Sequence, residues 1–227
     1  MHTEPHSHAL VDSRGGVAQA TSRRCPTYAD IEALPDGLRG EIIGGVLIAM
    51  PRPGLPHTHA AGLLGSLLTA SFHYRFGAPG GWVILPEPEL RLGVDPSFDP
   101  VVPDIAGWRV PGEFPEALRQ SAARVAPDWV CEVLSPSTAA RDRTEKLPFY
   151  GRAGIQYVWL ADPEHRTLEA YAFVGGAWSL TGAWSEAAKV KALPFGAVEF
   201  DLSLLWLPPV AEAPTEATPP ALEPPAP

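Results

Sequence analysis

Apolar positions between residues 25 and 207 fall into runs whose period changes along the chain. From His57 to Phe76 they recur at 60, 61, 63, 64, 67, 68 and 72, the spacing of one helix face, after a segment punctuated by Pro51, Pro53 and Pro56. This is the longest helix the pattern predicts. Ahead of it, Thr27 to Leu34 reads as a short helix, with Thr27 as N-cap, Asp30 three residues on, and the turn Pro35-Asp36-Gly37 behind it. Glu41 to Ile43 and Val46 to Met50 read as a hairpin, because Gly44-Gly45 can adopt the positive φ values of a two-residue turn.

Beyond residue 80 the runs shorten to strand length. Trp82 to Leu85 and Glu89 to Leu92 form either a strand pair or one interrupted strand, and Val101 to Trp108 forms another around Pro103. Asp128 to Leu134 is almost continuously apolar, as a strand buried on both faces requires, and Tyr157 to Ala161 has the same character. The charged segment between them reads as a short helix ending near Gly151 or Gly154. Pro148 cannot donate to an interior helical ladder, so it belongs in the first turn or at a kink, which puts Lys146 near the helix start. Thr167 to Phe173 and Ala177 to Thr181 flank Gly175-Gly176 as a second hairpin, and Val198 to Leu207 is the last ordered piece. The expected fold is an α/β core in which one sheet packs against helices, with no internal repeat.

Composition sets the limits of that core. A chain of 227 residues, 45% hydrophobic, supports one sizeable core. Residues 1–24 and 208–227 lack any apolar period and are expected to be disordered tails around a single domain spanning 25–207. No run is long and apolar enough for a membrane span or a signal peptide, so the expected location is cytoplasmic. Two cysteines, Cys25 and Cys131, are too few for a disulfide framework or a four-cysteine zinc site. The net charge is −9, and residues 25–207 alone carry 21 acidic and 14 basic side chains. That balance argues against a broad basic nucleic-acid surface. A local strip through Arg141, Arg143, Lys146 and Arg152 could still meet a phosphate backbone, and a carboxylate cluster that holds a divalent cation would contribute to the acidity.

Three positions carry candidate chemistry. Asp104 follows Pro103 in VVPDIAGW, where a carboxylate among Val and Ile is paired, metal-bound or capping a strand end. Glu132 has apolar neighbours at 130, 131, 133 and 134, so no polar face exists for it to join. Lys146 is one of only three lysines beside 14 arginines. As an ordinary surface residue it would pair with Asp142 four residues earlier, for a few tenths of a kcal/mol. As a compact titratable charge it suits a reaction centre better than arginine does.

The segments EIIGGVLIAM, PxxxxPHTHAAGLLGSLL, VVPDIAGW and DWVCEVLSPSTAARDRTEKLPFYGRAGIQYVWLADP, spread over residues 26–206, resemble the Uma family of restriction endonucleases within the PD-(D/E)xK nuclease superfamily. The resemblance implies a restriction endonuclease-like mixed β-sheet flanked by helices, with added N- and C-terminal hairpins. It puts Asp104 on the PD position and Glu132 on the acidic position of the (D/E)xK strand. Leu134 stands where the superfamily has its lysine, and the resemblance suggests that Lys146 supplies the amine from the following helix. Glu41 falls where the family commonly has an acid and is carried as a third carboxylate, with Glu89 as a further candidate. Such carboxylates suit Mg²⁺ or Mn²⁺, and the implied reaction is hydrolysis of DNA phosphodiester bonds by a homodimer.

Other readings remain open. The acidic balance and the missing strand lysine fit a nuclease-fold module that binds or assembles without cleaving. His57, His59 and His73 raise zinc, but residues two apart on a helix point about 200° from each other. His57 also matches a family position and fits either the site's edge or helix packing. A hydrolase built on Ser135 or Ser137 lacks a GxSxG elbow.

Overall fold

The computed structural model describes residues 24–74, 80–110 and 116–208. The expected tails fall almost wholly outside these residues.

The N-terminal pattern is realised closely. Helix α1 (Tyr28–Glu32) is opened by a capping box in which Thr27 and Asp30 satisfy each other's backbone amides. Strands β1 (Arg39–Ile43) and β2 (Val46–Met50) form an antiparallel two-stranded sheet. At its turn, Gly44 and Gly45 take φ values of 58° and 78°, conformations that cost a side-chain-bearing residue energy. Helix α2 (Leu55–Leu68) begins with Pro56 in its first turn and closes through a π-helical turn, Thr69–His73.

Six strands form the main sheet in the order β3-β4-β5-β6-β7-β8. They are β3 (Trp82–Pro86), β4 (Ile105–Arg109), β5 (Trp129–Val133), β6 (Tyr157–Asp162), β7 (Thr167–Val174) and β8 (Ala177–Ser185). All neighbours are antiparallel except β5 and β6, which run parallel and are joined by a helical crossover. That crossover comprises α3 (Ala139–Arg141), a π-helical segment (Asp142–Lys146) and α4 (Leu147–Arg152). The C-terminal hairpin β7-β8 extends this sheet, and a small pair, β9 (Lys189–Val190) with β10 (Phe200–Asp201), follows it. Among the described residues no helix is long and apolar enough to cross a membrane.

Three local expectations are corrected. Glu89 to Leu92 is not a strand: only Leu90 makes isolated bridges, to Val101 and Ala123. The strand expected from Val101 begins at Ile105, because Pro103 lacks an amide to donate to a ladder. Pro148 occupies the first turn of α4 with Lys146 just before it, as expected, but the helical crossover begins earlier than expected, at Ala139, so Lys146 lies in its middle. A proline ring there removes a helical donor, which the wider π turn accommodates.

Alternation along β5 positions the site. Trp129, Cys131 and Val133 face one apolar cluster, with Ala60, Leu64, Leu68 and Phe72 of α2 and its π turn. Val130 and Leu134 face the other, with Phe149 and Tyr150 of α4. A buried side chain of this size contributes roughly 1.5–3 kcal/mol, so the strand's orientation is firmly held. With a period of two, Glu132 must point to the same side as Val130 and Leu134, towards the crossover.

Candidate active site

Glu132 is 3% exposed in a strand buried at every position, a placement that is costly for a carboxylate unless it is partnered. Lys146 Nζ lies 3.2 Å from Glu132 Oε1, and the Tyr150 hydroxyl donates to that same oxygen. Both of these bonds fall on Oε1, and the residue lines an open cleft. Asp142, Lys146 and Tyr150 recur every four residues along the crossover, so all three face β5. The π segment that carries two of them is a helix irregularity common at functional sites.

Lys146 is the hub of the cluster. Its ammonium is 3.0 Å from Glu41 Oε1 and 3.9 Å from Asp142 Oδ1, and it donates to the Val102 carbonyl at 3.4 Å. Glu41, on β1, accepts the Val102 amide, so both backbone polar groups of Val102 are held by the cluster. Burial disfavours a charged amine, but Glu132, Glu41 and Asp142 outweigh it and hold the Lys146 pKa above its ordinary value. Burial pushes the Glu132 pKa well up against the pull of Lys146, and pushes Asp142 up to about 6.

Asp104 sits immediately before β4. Its Oδ2 accepts the Val133 amide at 2.7 Å, taking the position of a strand partner where main-chain pairing of β4 with β5 has ended. His57 Nε2 approaches Asp104 Oδ1 at 3.2 Å. His57 is three residues before Ala60 and so lies at the N-terminal end of the buried stripe of α2, above the sheet end that Asp104 occupies.

These residues line a cleft of about 310 Å³ between the β1-β2 hairpin with its following Pro-rich segment and the chain from Glu132 to Lys146. The structure brings Glu41, Asp104, Glu132 and Lys146 together. Glu89 is elsewhere: its carboxylate accepts the Tyr28 hydroxyl and it does not line the cleft. Asp142 does pair with Lys146 across four residues, but buried in the cluster and not as the surface contact that spacing suggested. The sequence pattern did not single out Tyr150, four residues beyond Lys146, or the pairing of His57 with Asp104. The expected basic strip is also dispersed, since Lys146 is buried, Arg143 pairs with Glu169, and Arg152 pairs with Asp95.

Four carboxylates against one lysine leave excess negative charge at the cleft floor, and hard oxygen donors of this kind fit a divalent cation. Among the described residues no group of three or more His, Cys, Asp or Glu side chains is arranged to hold an ion by itself.

A crystal structure described as "a putative nuclease belonging to DUF820 from Anabaena variabilis ATCC 29413" shares this fold, with a TM-score of 0.59 over 79% of this chain and 97% of the other, at 22% identity. No curated protein is a significant match. The model of the Uma2 family, described as "Putative restriction endonuclease", matches residues 25–204, which is most of the chain and the whole of the site. That match, over more than half of the chain, establishes that the protein belongs to the Uma2 family.

Proposed function

We propose that the protein is a Mg²⁺- or Mn²⁺-dependent endonuclease that hydrolyses DNA phosphodiester bonds, acting as a homodimer. The observation that carries this reading is the convergence of Asp104, Glu132, Glu41 and Lys146, from separate parts of the chain, on the floor of one open cleft.

Asp104 and Glu132 would hold the cation, with Glu41 completing the acidic set around Lys146. The cation would supply Lewis-acid charge opposite the scissile phosphate. Asp104 is oriented for this by the Val133 amide and His57. Tyr150 fixes the Glu132 carboxylate from below through Oε1. Lys146 keeps its proton and offers positive charge at the place where the phosphate becomes more negative, which stabilises the transition state electrostatically.

A second reading, a nuclease-fold module that binds or assembles without cleaving, draws on two observations. Lys146 is already saturated by carboxylates, and no preformed three-ligand metal group exists among the described residues. Incubating the full chain with plasmid and short duplexes, with EDTA, Mg²⁺ or Mn²⁺, separates the two. Cation-dependent nicking that is lost in Glu132→Gln and Lys146→Ala supports the endonuclease. A wild type that leaves both substrates intact at every cation concentration rules it out.

A further inference from the structure

The cleft is electrically two-layered. Its floor holds Glu41, Asp104, Glu132 and Asp142 around Lys146, while its rim carries Arg39, Arg52 and Arg141. Arg39 is neutralised by Glu87, itself a lining residue. Among the described residues, neither Arg52 nor Arg141 makes an ion pair, side-chain hydrogen bond or ring contact. In a chain of net charge −9 that is unusual. Arg24, Arg91, Arg119, Arg143, Arg152 and Arg166 each meet a carboxylate. Arg109 lies over the rings of Trp82 and Tyr157. Among the described arginines, Arg124, which is exposed and outside the cleft, is the remaining exception.

Arg52 and Arg141 come from the two segments that flank the floor. Arg52 stands between Pro51 and Pro53, whose rings fix the backbone on either side of it. Arg141 ends α3, one residue before Asp142, with Ser137 and Thr138 lining the same wall. We propose that these two arginines clamp two phosphates of one nucleic-acid strand, the ones that flank the phosphate sitting over the acidic floor. This rests on the nuclease reading and names which groups of the substrate the chain grips. Guanidinium matches phosphate with two parallel hydrogen bonds, and a cation not committed to an internal carboxylate gives up none on binding. The contacts are to backbone, so they position the strand without reading its bases.

Two phosphate contacts imply a shallow salt dependence, with log K falling against log salt at a slope of about −1.8 on duplex. The test is fluorescence anisotropy of a labelled oligonucleotide, single-stranded and duplex, at fixed Ca²⁺ in place of Mg²⁺, over a series of KCl concentrations. Arg52→Ala and Arg141→Ala should each weaken binding roughly tenfold. Each should also flatten the slope by about one. Arg141→Lys should recover the slope but not the full affinity, and Arg124→Ala should match wild type. Arginine-to-alanine variants that bind with wild-type affinity and slope overturn the clamp, as does a wild type that binds neither oligonucleotide. Hydrolysis of bis(p-nitrophenyl) phosphate by the wild type with Mn²⁺ is measured alongside. That single-phosphate diester cannot span both arginines, so its turnover reports on the nuclease reading whatever becomes of the clamp.

Discussion

Lys146 Nζ lies 3.2 Å from Glu132 Oε1, with both side chains almost wholly buried, and the pair closes the floor of the cleft. The lysine's further contacts with Glu41 and Asp142 make this a network rather than a surface pair. Buried ion pairs are poor net stabilisers, but removing one partner leaves uncompensated charge behind.

Lys146→Ala should therefore destabilise the protein by about 3 kcal/mol at pH 7.5. The loss should shrink at pH 5, where the abandoned carboxylates can take up protons. Urea melts of wild type and variant at the two pH values measure this, and equal losses at both would contradict a carboxylate-bound lysine.

Stability should fall as pH rises from about 4 to above 6 in the presence of EDTA. Asp142 is raised by burial from an ordinary 3.8 to about 6, and Glu132 is raised in the same sense. The folded state thus retains protons that the unfolded chain releases in that window, which gives stability a negative slope against pH. Below it, the lowered carboxyl groups of Asp30, held by Arg24, and Asp201, held by Lys189, act in the opposite direction. Asp142→Asn should flatten the slope between pH 4.5 and 6.5, which thermal melts across that range will reveal.

A divalent cation should reverse that destabilisation. On the proposed assignment Mn²⁺ would bind the ionised carboxylates of the folded state in preference to the unfolded chain, so the melting temperature should rise with its concentration at pH 7.5 and much less at pH 5. Asp104→Asn and Glu132→Gln should each abolish the rise. Calorimetric titration of the same variants checks the result independently, and retention of wild-type Mn²⁺ affinity in either one refutes the ligand assignment.

His57→Ala should weaken Mn²⁺ binding by 10- to 100-fold, the usual range for a residue that orients a ligand. The ring's Nε2 contact with Asp104 anchors it, while Nδ1 is buried without a hydrogen-bond partner among the described residues. His57→Gln, which keeps a donor near Asp104, should recover most of the affinity. If alanine and glutamine behave alike in the titration, the contact does not position Asp104.

Much of this arrangement is written locally. Gly44-Gly45 makes the hairpin because few other pairs tolerate two successive positive φ values. The unbroken apolar run around Glu132 specifies a strand buried on both faces, and a carboxylate inside it marks a site before any coordinates are known. The family motifs then carry Asp104, Glu41 and Lys146 as partners. What the one-dimensional pattern leaves undecided is which groups face one another. Asp142 and Lys146 have the same four-residue spacing whether the helix is solvated or packed on a sheet, and only the parallel β5-β6 crossover turns that face inward. Likewise Arg141, Arg143 and Arg152 look equivalent along the chain. Tertiary packing gives Arg143 to Glu169 and Arg152 to Asp95 and leaves Arg141 at the cleft, because contact between charges depends on distance through space, which sequence separation does not fix.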